Sequence, residues 1–172
     1  MTKNRKILVI SDTHGLVLPL KEIFNHHSDV TAIFHCGDSE LMNFDPILKN
    51  IHIVRGNCDY DRTLPNELFI KIGQHKIYMT HGHMHGVKSS LDKLHNSAQQ
   101  KGAEIALYGH SHIAKASLIN GILLVNPGSI AYPRGRKEKT YAIITLNKDK
   151  NHQVDFYLAS THEPLNLACD EC

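Results

Sequence analysis

The sequence lacks the features that would place the protein in a membrane or outside the cell. No apolar run approaches the roughly 20 residues that a helix needs to span a bilayer. Only a handful of apolar residues precede Ser11, and no small-residue cleavage site follows them, so the N-terminus does not resemble a secretory signal. The four cysteines have no spacing typical of a small disulfide framework. We therefore expect a cytoplasmic protein with no membrane contact.

A strong charge of either sign is also missing. The formal net charge is +2, which gives no large field to steer polyanions, so we predict no nucleic-acid-binding surface. A hydrophobic content of 41% and a charged content of 21% are ordinary for a globular protein. The length predicts one domain over residues 1–172, long enough to bury about 70% of its unfolded surface.

Two of the cysteines, Cys169 and Cys172, form a C-x-x-C at the end of the chain. A redox pair or half of a zinc site is one interpretation. A mobile tail with two free thiols is the favoured one, because few flanking residues are available to bury the pair.

The sequence is rich in histidine, with 14 residues, and several lie with Asp and Asn in short polar segments that follow apolar runs. These segments are Asp12-Thr13-His14, Gly37-Asp38, Gly56-Asn57-Cys58-Asp59, His81-Gly82-His83 and Gly109-His110-Ser111-His112. The preceding runs read as strands, over 6–10, 31–34, 51–54, 76–79 and, less clearly, 103–108. Ligands at the carboxyl ends of strands point to a site in one crevice.

The hydrophobic pattern predicts an α/β first half and a mostly antiparallel second half. Helices are expected over 16–27, 45–49 and 89–101. The alternation of strand and helix up to residue 54 favours a parallel sheet with right-handed crossovers. Further on, hairpins are expected over 68–79 and 115–125, the second around Asn120-Gly121, and a strand pair over 140–158.

The residue types predict a metal site. Two Asp, one Asn and several His suit a pair of divalent first-row ions better than one structural zinc, which prefers a closed cage often rich in thiolates. Residues two apart in an extended segment point to the same side, so Asp12 with His14, and His110 with His112, can reach one cavity. Asp38 is the best candidate to bridge two ions, which would lower the pKa of a bound water and neutralise phosphate oxygens.

Taken in order, the five segments resemble those of the calcineurin-like metallophosphoesterases, over residues 7–144. The compact length, Gly56-Asn57-Cys58-Asp59 and Asn126-Pro127-Gly128-Ser129 resemble the small bacterial and archaeal phosphodiesterase subgroup. The resemblance implies a four-layer α/β/β/α sandwich, with two mixed β-sheets flanked by helices. A homodimer or homotetramer would suit the subgroup.

The resemblance also implies a ligand set and a reaction. One metal would take Asp12, His14, Asp38 and His112, and the other would take Asp38, Asn57, His81 and His110. A hydroxide bridging the two ions would hydrolyse a small phosphodiester or nucleotide. Manganese is the first choice of ion, since oxygen ligands mixed with imidazole suit it, and nickel, zinc, iron and magnesium remain open.

Cys58 departs from the family pattern. Many family members have a His directly after the Asn, placed to assist the leaving group, and a thiol with a pKa near 8.5 is a poor substitute. His83 or His85 could fill the role. Asp59 is expected to orient a ligand rather than to bind metal.

Two other functions stay open. One is a non-catalytic protein-interaction scaffold, as in the retromer subunit that resembles this family; the complete ligand set argues against it. The other is a phosphomonoesterase, which would need extra cationic groups, and Arg134 alone is thin support. Backbone amides of residues 126–129 could bind phosphate, or the segment could be a plain turn. His35 is expected to pack at a strand end.

Overall fold

The computed structural model describes residues 4–167 and 169–171, which form two mixed β-sheets with an α-helix packed on each. The helices are α1 (Val17–His26) and α2 (Asp92–Gln100). The strands are β1 (Arg5–Ile10), β2 (Ala32–His35), β3 (His52–Ile53), β4 (Glu67–Ile72), β5 (His75–Thr80), β6 (Ile105–Leu107), β7 (Lys115–Ile119), β8 (Ile122–Asn126), β9 (Thr140–Leu146), β10 (Gln153–Leu158), β11 (Pro164–Leu165) and β12 (Cys169–Glu171).

The first sheet has the strand order β11-β10-β9-β1-β2-β3. Strands β1, β2 and β3 run parallel, with Val9 beside Phe34 and Phe34 beside His52. This confirms the parallel arrangement predicted from the first 54 residues. The expected helix over 45–49 is instead one 3-10 turn, Pro46–Leu48, which the side chain of Asp45 caps by accepting a hydrogen bond from Ile47 N.

The second sheet has the order β12-β7-β8-β6-β5-β4. Its centre is parallel, since β6 pairs in parallel with both β5 and β8, so the prediction of a mostly antiparallel second half is wrong there. The reason is connectivity: α2 carries the chain from β5 over to β6, and β7 comes before β8, which leaves β8 running in the direction of β6. Strand β9 then crosses to the first sheet and lies antiparallel to β1.

Alternating side chains of the central strands divide the core into the four expected layers. Ile7 and Val9 of β1 pack with Ile77 and Met79 of β5 in the cluster between the sheets. Side chains of the opposite parity face the helices: Leu8 and Ile10 contact Leu20 and Ile23 of α1, and Tyr78 and Ala106 contact Leu94 and Ala98 of α2. The α/β/β/α sandwich implied by the resemblance is therefore confirmed.

The helix predicted over 89–101 was expected to begin three residues too early. The helix starts at Asp92, after a loop, and ends at Gln100. Among the residues that the structure describes, neither helix is long and apolar enough to cross a membrane. The predicted Cys169–Cys172 pair lies outside the residues whose side chains are described.

A cluster of polar side chains joins the two sheets at the edge where β5 and β6 begin. His75 Nδ1 lies 2.6 Å from Glu104 Oε1, and both side chains are nearly buried. His152, which precedes β10 of the other sheet, brings Nε2 to 3.3 Å from the same oxygen, and Lys150 Nζ lies 3.3 Å from Glu104 Oε2. Neither histidine belongs to the five polar segments that the sequence analysis identifies. The structure assigns them to this contact between the sheets.

We predict that Glu104→Gln lowers the free energy of unfolding at pH 7 by about 1–3 kcal/mol, because it weakens charge-assisted hydrogen bonds of a buried group. Burial raises the pKa of Glu104, but the hydrogen bonds from His75 and Lys150 outweigh it and leave the pKa below its ordinary value. Stability from this carboxylate is therefore present above the unfolded pKa, about 4.3, and is lost as the pH falls through the folded pKa.

Urea unfolding at several pH values measures this effect. The difference between wild type and Glu104→Gln should narrow below about pH 4. The matched control is Glu138→Gln, which removes an exposed carboxylate from a loop. If Glu104→Gln and Glu138→Gln had equal free energies of unfolding at pH 7, the charged cluster would contribute nothing to stability.

Candidate metal centre

The segments that follow β1, β2, β3, β5 and β6 meet at one edge of the sandwich, where these strands have their carboxyl ends. The segments carry the predicted donor residues, which are Asp12, His14, Asp38, Asn57, His81, His110 and His112. Five of the donor residues have a left-handed backbone, with φ between 43° and 65°: Asp12, His14, Asp38, His110 and His112. Such φ values cost energy for residues other than glycine and are concentrated at functional sites.

One group of donors forms around Asp12, which is fully buried. Donor atoms of Asp12, His14, Asp38 and His112 all lie within 4.8 Å of one another. Asp12 Oδ2 accepts hydrogen bonds from Ser11 Oγ at 2.6 Å and from His110 N at 3.2 Å. Its other oxygen, Oδ1, lies 3.0 Å from His112 Nε2 without the alignment of a hydrogen bond.

A second group forms around His81, which is also fully buried. Its Nε2 lies 3.1 Å from Asn57 Oδ1 and 3.2 Å from Asp38 Oδ2. The His110 ring packs edge-on against the His81 ring, with centroids 5.2 Å apart. Asp38 therefore contributes to both groups, and its second oxygen, Oδ1, accepts a hydrogen bond from Cys58 N at 2.8 Å.

Hydrogen bonds to the backbone determine which nitrogen of two imidazoles faces the site. Nδ1 of His81 lies 2.7 Å from Cys36 O, and Nδ1 of His112 lies 2.6 Å from Tyr132 O. A carbonyl oxygen can only accept, so each Nδ1 carries a hydrogen and each neutral ring turns an unprotonated Nε2 toward the site. These nitrogens face oxygens of Asp12, Asp38 and Asn57, which are acceptors as well. Only a positive charge between them makes the arrangement favourable.

The pKa shifts express the same demand for positive charge. Burial lowers the pKa of His81, but the hydrogen bond to Asp38 and the charges of Asp12 and Asp38 outweigh burial and raise it. The close contact with the Asp12 carboxylate raises the pKa of His112 against burial. Burial raises the pKa of Asp38, and its contacts with His81 and Cys58 bring it below its ordinary value. Without another cation, protons on the imidazoles would balance the carboxylates.

The donor set fits divalent cations. Asp12 Oδ1 and His14 Nε2 are buried and have no hydrogen-bond partner among the described residues. His14 is held through its other nitrogen, Nδ1, 2.6 Å from Glu40 Oε1. Imidazoles oriented by a carbonyl or a carboxylate through the second ring nitrogen are the usual arrangement around protein-bound metals.

Asp59 lies behind these donors and links two of the loops. Its carboxylate accepts hydrogen bonds from Asp38 N at 2.8 Å, Gly56 N at 2.7 Å, Glu40 N at 2.7 Å and Ser39 Oγ at 3.2 Å. All four of these contacts are to other loop residues. The loops are so close that a Cβ on Gly56 would overlap the Asp38 carboxylate, which explains the glycine at this position.

Three residues outside the predicted set also hold the site in place. Glu40 orients His14. Asn126, at the end of β8, donates from Nδ2 to Gly109 O and Ser111 Oγ, both at 2.9 Å. Ser129 Oγ donates to Asp12 O at 2.8 Å. Asn126 was detectable in the sequence, because it too ends an apolar strand. Its side chain and that of Ser129 act on the ligand loops, a role that differs from the phosphate-binding turn considered for this segment.

The remaining histidines and Cys58 lie around the donor groups. His83 is 5.5 Å from His81 and 6.1 Å from His110 by ring centroids, and burial lowers its pKa. His85 lies farther out, with Nε2 3.3 Å from the Tyr78 hydroxyl. Burial and the charge of Asp38 raise the pKa of Cys58 to about 11. The expected packing of His35 at a strand end is confirmed, since it is fully buried and bonded to Thr13.

Comparison with known proteins connects this geometry to a family. The family model for the calcineurin-like phosphoesterase superfamily domain matches residues 6–149. A Bacillus subtilis protein named as probable metallophosphoesterase YsnB is 44% identical over 144 residues, which are 83% of this chain and 85% of the relative. A Methanocaldococcus jannaschii protein named as a phosphodiesterase is 27% identical over 144 residues, 72% of this chain and 82% of that one.

A solved structure agrees over nearly the whole chain. It is that of a conserved protein of Streptococcus pneumoniae TIGR4, described as a predicted phosphoesterase. The TM-score is 0.90 and the identity 38%, with 96% of this chain and 95% of the other covered. With the family match and the B. subtilis relative, this establishes that the chain belongs to the calcineurin-like phosphoesterase superfamily.

Proposed function

We propose that the protein is a metal-dependent phosphodiesterase in which water attacks phosphorus directly, without a covalent enzyme intermediate. The observation that carries the proposal is the pair of imidazole nitrogens, on His81 and His112, that face carboxylate and amide oxygens across 3.0–3.2 Å. Two divalent ions bound there would lower the pKa of water and neutralise charge on the phosphoryl oxygens. Asp38 contributes to both groups and would therefore be a ligand shared by the two ions.

The protein residues orient and hold the reacting groups. Glu40, Cys36 O and Tyr132 O fix the rings of His14, His81 and His112 so that one nitrogen of each faces inward. Hydrogen bonds to Asp59 keep the loops carrying Asp38 and Asn57 together. Because these contacts are present before substrate binds, little reorganisation is needed during the reaction.

His83 is our candidate for exchanging a proton with the leaving group. Burial lowers its pKa, and its buried Nδ1 has no hydrogen-bond partner in the described part of the chain. Cys58 occupies the position that follows the Asn, but with a pKa of about 11 its thiol is a weak acid. His83 is therefore the stronger candidate.

A diester fits the surroundings better than a monoester. A cavity of about 530 Å³ opens beside Ser111, between the donors His110 and His112, and offers room for the second ester substituent that a monoester lacks. The name of the M. jannaschii relative supports the same class. Manganese is our first choice of ion, because mixed carboxylate, amide and imidazole donors suit it and its first-row neighbours.

Metal-stripped protein should hydrolyse neither bis(4-nitrophenyl) phosphate nor 4-nitrophenyl phosphate, and adding manganese should restore mainly the diesterase. Nickel, zinc and magnesium, added separately, rank the ions. Asp38→Ala and His110→Ala should lower kcat/KM by at least about 10³-fold, which corresponds to several kcal/mol of lost transition-state stabilisation. Bound metal, measured by elemental analysis after gel filtration, should fall below that of the wild type.

The matched control is Asp29→Ala, which removes an exposed carboxylate from the loop between α1 and β2. It should keep wild-type activity and metal content. Full activity of Asp38→Ala, or a wild type that stays metal-free under saturating manganese, nickel or zinc, would disprove the site. A wild type that binds metal and hydrolyses neither ester would instead favour the protein-interaction scaffold.

Replacing Cys58 tests leaving-group assistance. Cys58→Ala should change hydrolysis of bis(4-nitrophenyl) phosphate less than about threefold, because nitrophenolate leaves without a proton. Cys58→His should raise hydrolysis of a diester with a poor alkoxide leaving group by about tenfold or more, since an imidazole near the leaving oxygen can supply a proton. A large loss in Cys58→Ala on the activated substrate would assign the thiol a direct role.

A further inference from the structure

The cavity beside the donor residues has an uneven distribution of charge. Three of its lining residues are cationic, Lys88, Lys115 and Arg134, and none is acidic. They come from separate parts of the chain: the loop after β5, the first residue of β7, and the segment between β8 and β9. The net charge of the whole sequence is only +2, so this concentration of positive charge is a local property of the cavity.

The cavity adjoins the segment that carries two of the donor histidines. Ser111, between His110 and His112 in the sequence, lines the cavity together with Lys88 and Arg134. Arg134 is anchored to the same segment, since its backbone N donates to His112 O at 2.9 Å. The cations and the metal donors therefore border one cavity, so that one small molecule can contact both.

The rest of the cavity wall combines three serines with the apolar side chains of Val87, Leu91, Tyr108 and Ile113. Val87 and Tyr108 are nearly buried and form its inner side, while Ile113, directly after His112, is 43% exposed. A volume of about 530 Å³ lies within the range of small-molecule sites, roughly 300–1,000 Å³. Apolar walls combined with several cations suit a ligand that has both a flat or apolar portion and an anionic group.

We propose that this cavity binds a second phosphate of the substrate, so that the natural substrate is a small phosphodiester bearing at least one further phosphate group. The inference rests on the proposed function and extends it to substrate class. The scissile phosphate lies at the donor residues, the additional phosphate lies between Lys88 and Arg134, and the portion that joins them lies along Val87, Tyr108 and Ile113.

Two substrates that differ only by this group provide the test. Thymidine 5′-(4-nitrophenyl phosphate) and its 3′-phosphorylated derivative share the scissile bond and the leaving group. We expect manganese-loaded wild type to favour the phosphorylated substrate by about tenfold in kcat/KM. In the double variant Arg134→Ala/Lys88→Ala, the ratio of the two kcat/KM values should fall to near one. The single variant Arg134→Lys should retain part of the preference. Lys21→Ala, on an exposed face of α1, should leave both the ratio and the rates unchanged.

Binding provides a measurement that does not depend on turnover. Calorimetric titration of manganese-loaded protein with thymidine 3′,5′-bisphosphate should give at least about fivefold tighter binding than with the 5′-monophosphate, and the double variant should lose this difference. Provided that the plain diester is still hydrolysed, either of two results would overturn the cavity assignment. One is a wild type with no preference for the additional phosphate in kcat/KM or in affinity. The other is a double variant that keeps the wild-type preference. If neither diester is hydrolysed, the proposed function fails, and the titration alone decides the role of the cavity.

Discussion

The structure depends on two contacts that are unfavourable until positive charge, from a bound cation or from protons, is present between the groups. Nε2 of His112 faces Asp12 Oδ1, and Nε2 of His81 faces Asp38 Oδ2, at 3.0 and 3.2 Å. Both histidines already donate from Nδ1 to a backbone carbonyl, so turning either ring would break that hydrogen bond. Burying a carboxylate without a partner costs several kcal/mol. The fold tolerates two at this edge because imidazoles, amide groups and a bound cation or protons can share the charge.

The price of bringing these groups together is backbone strain, and the surrounding hydrogen bonds offset it. Asp12 and Asp38 both have positive φ, and their loops bond to each other through Asp12 N to Gly37 O and Thr13 N to Asp38 O. Asp59 accepts hydrogen bonds from the backbone amides of Glu40 and Gly56, and Asn126 donates a hydrogen bond to the loop that carries His110. Strained residues persist only where several contacts determine the same conformation, and here those contacts come from the ends of strands in both sheets.

Most of the framework was predictable from the sequence, and the exceptions have physical reasons. Strands such as β1 are continuous apolar runs, and the polar segments behind them identified the donor residues as a set. The parallel pairing of β6 with β8 was missed because hydrophobic pattern says where a strand lies and not which neighbour it takes. Strands β11 and β12 carry no periodic signal. Glu40, and the orienting role of the Asn126 side chain, were missed because an orienting residue is defined by contacts between distant segments, and a single sequence shows none of these.

The donors divide between the two halves of the sandwich, which couples the site to stability. Asp12, Asp38 and Asn57 follow strands of the first sheet, whereas His81 and His110 follow strands of the second. A cation held by both sets therefore also joins the sheets, and any ligand that binds only the folded state stabilises that state.

The opposite edge of the sandwich is joined through Glu104, His75 and His152. The apolar layer between the sheets is thus closed by polar contacts at both ends. At one end these come entirely from side chains of the protein, and at the other the side chains require a cation. Metal content should for this reason affect the contact between the sheets before it affects either helix layer.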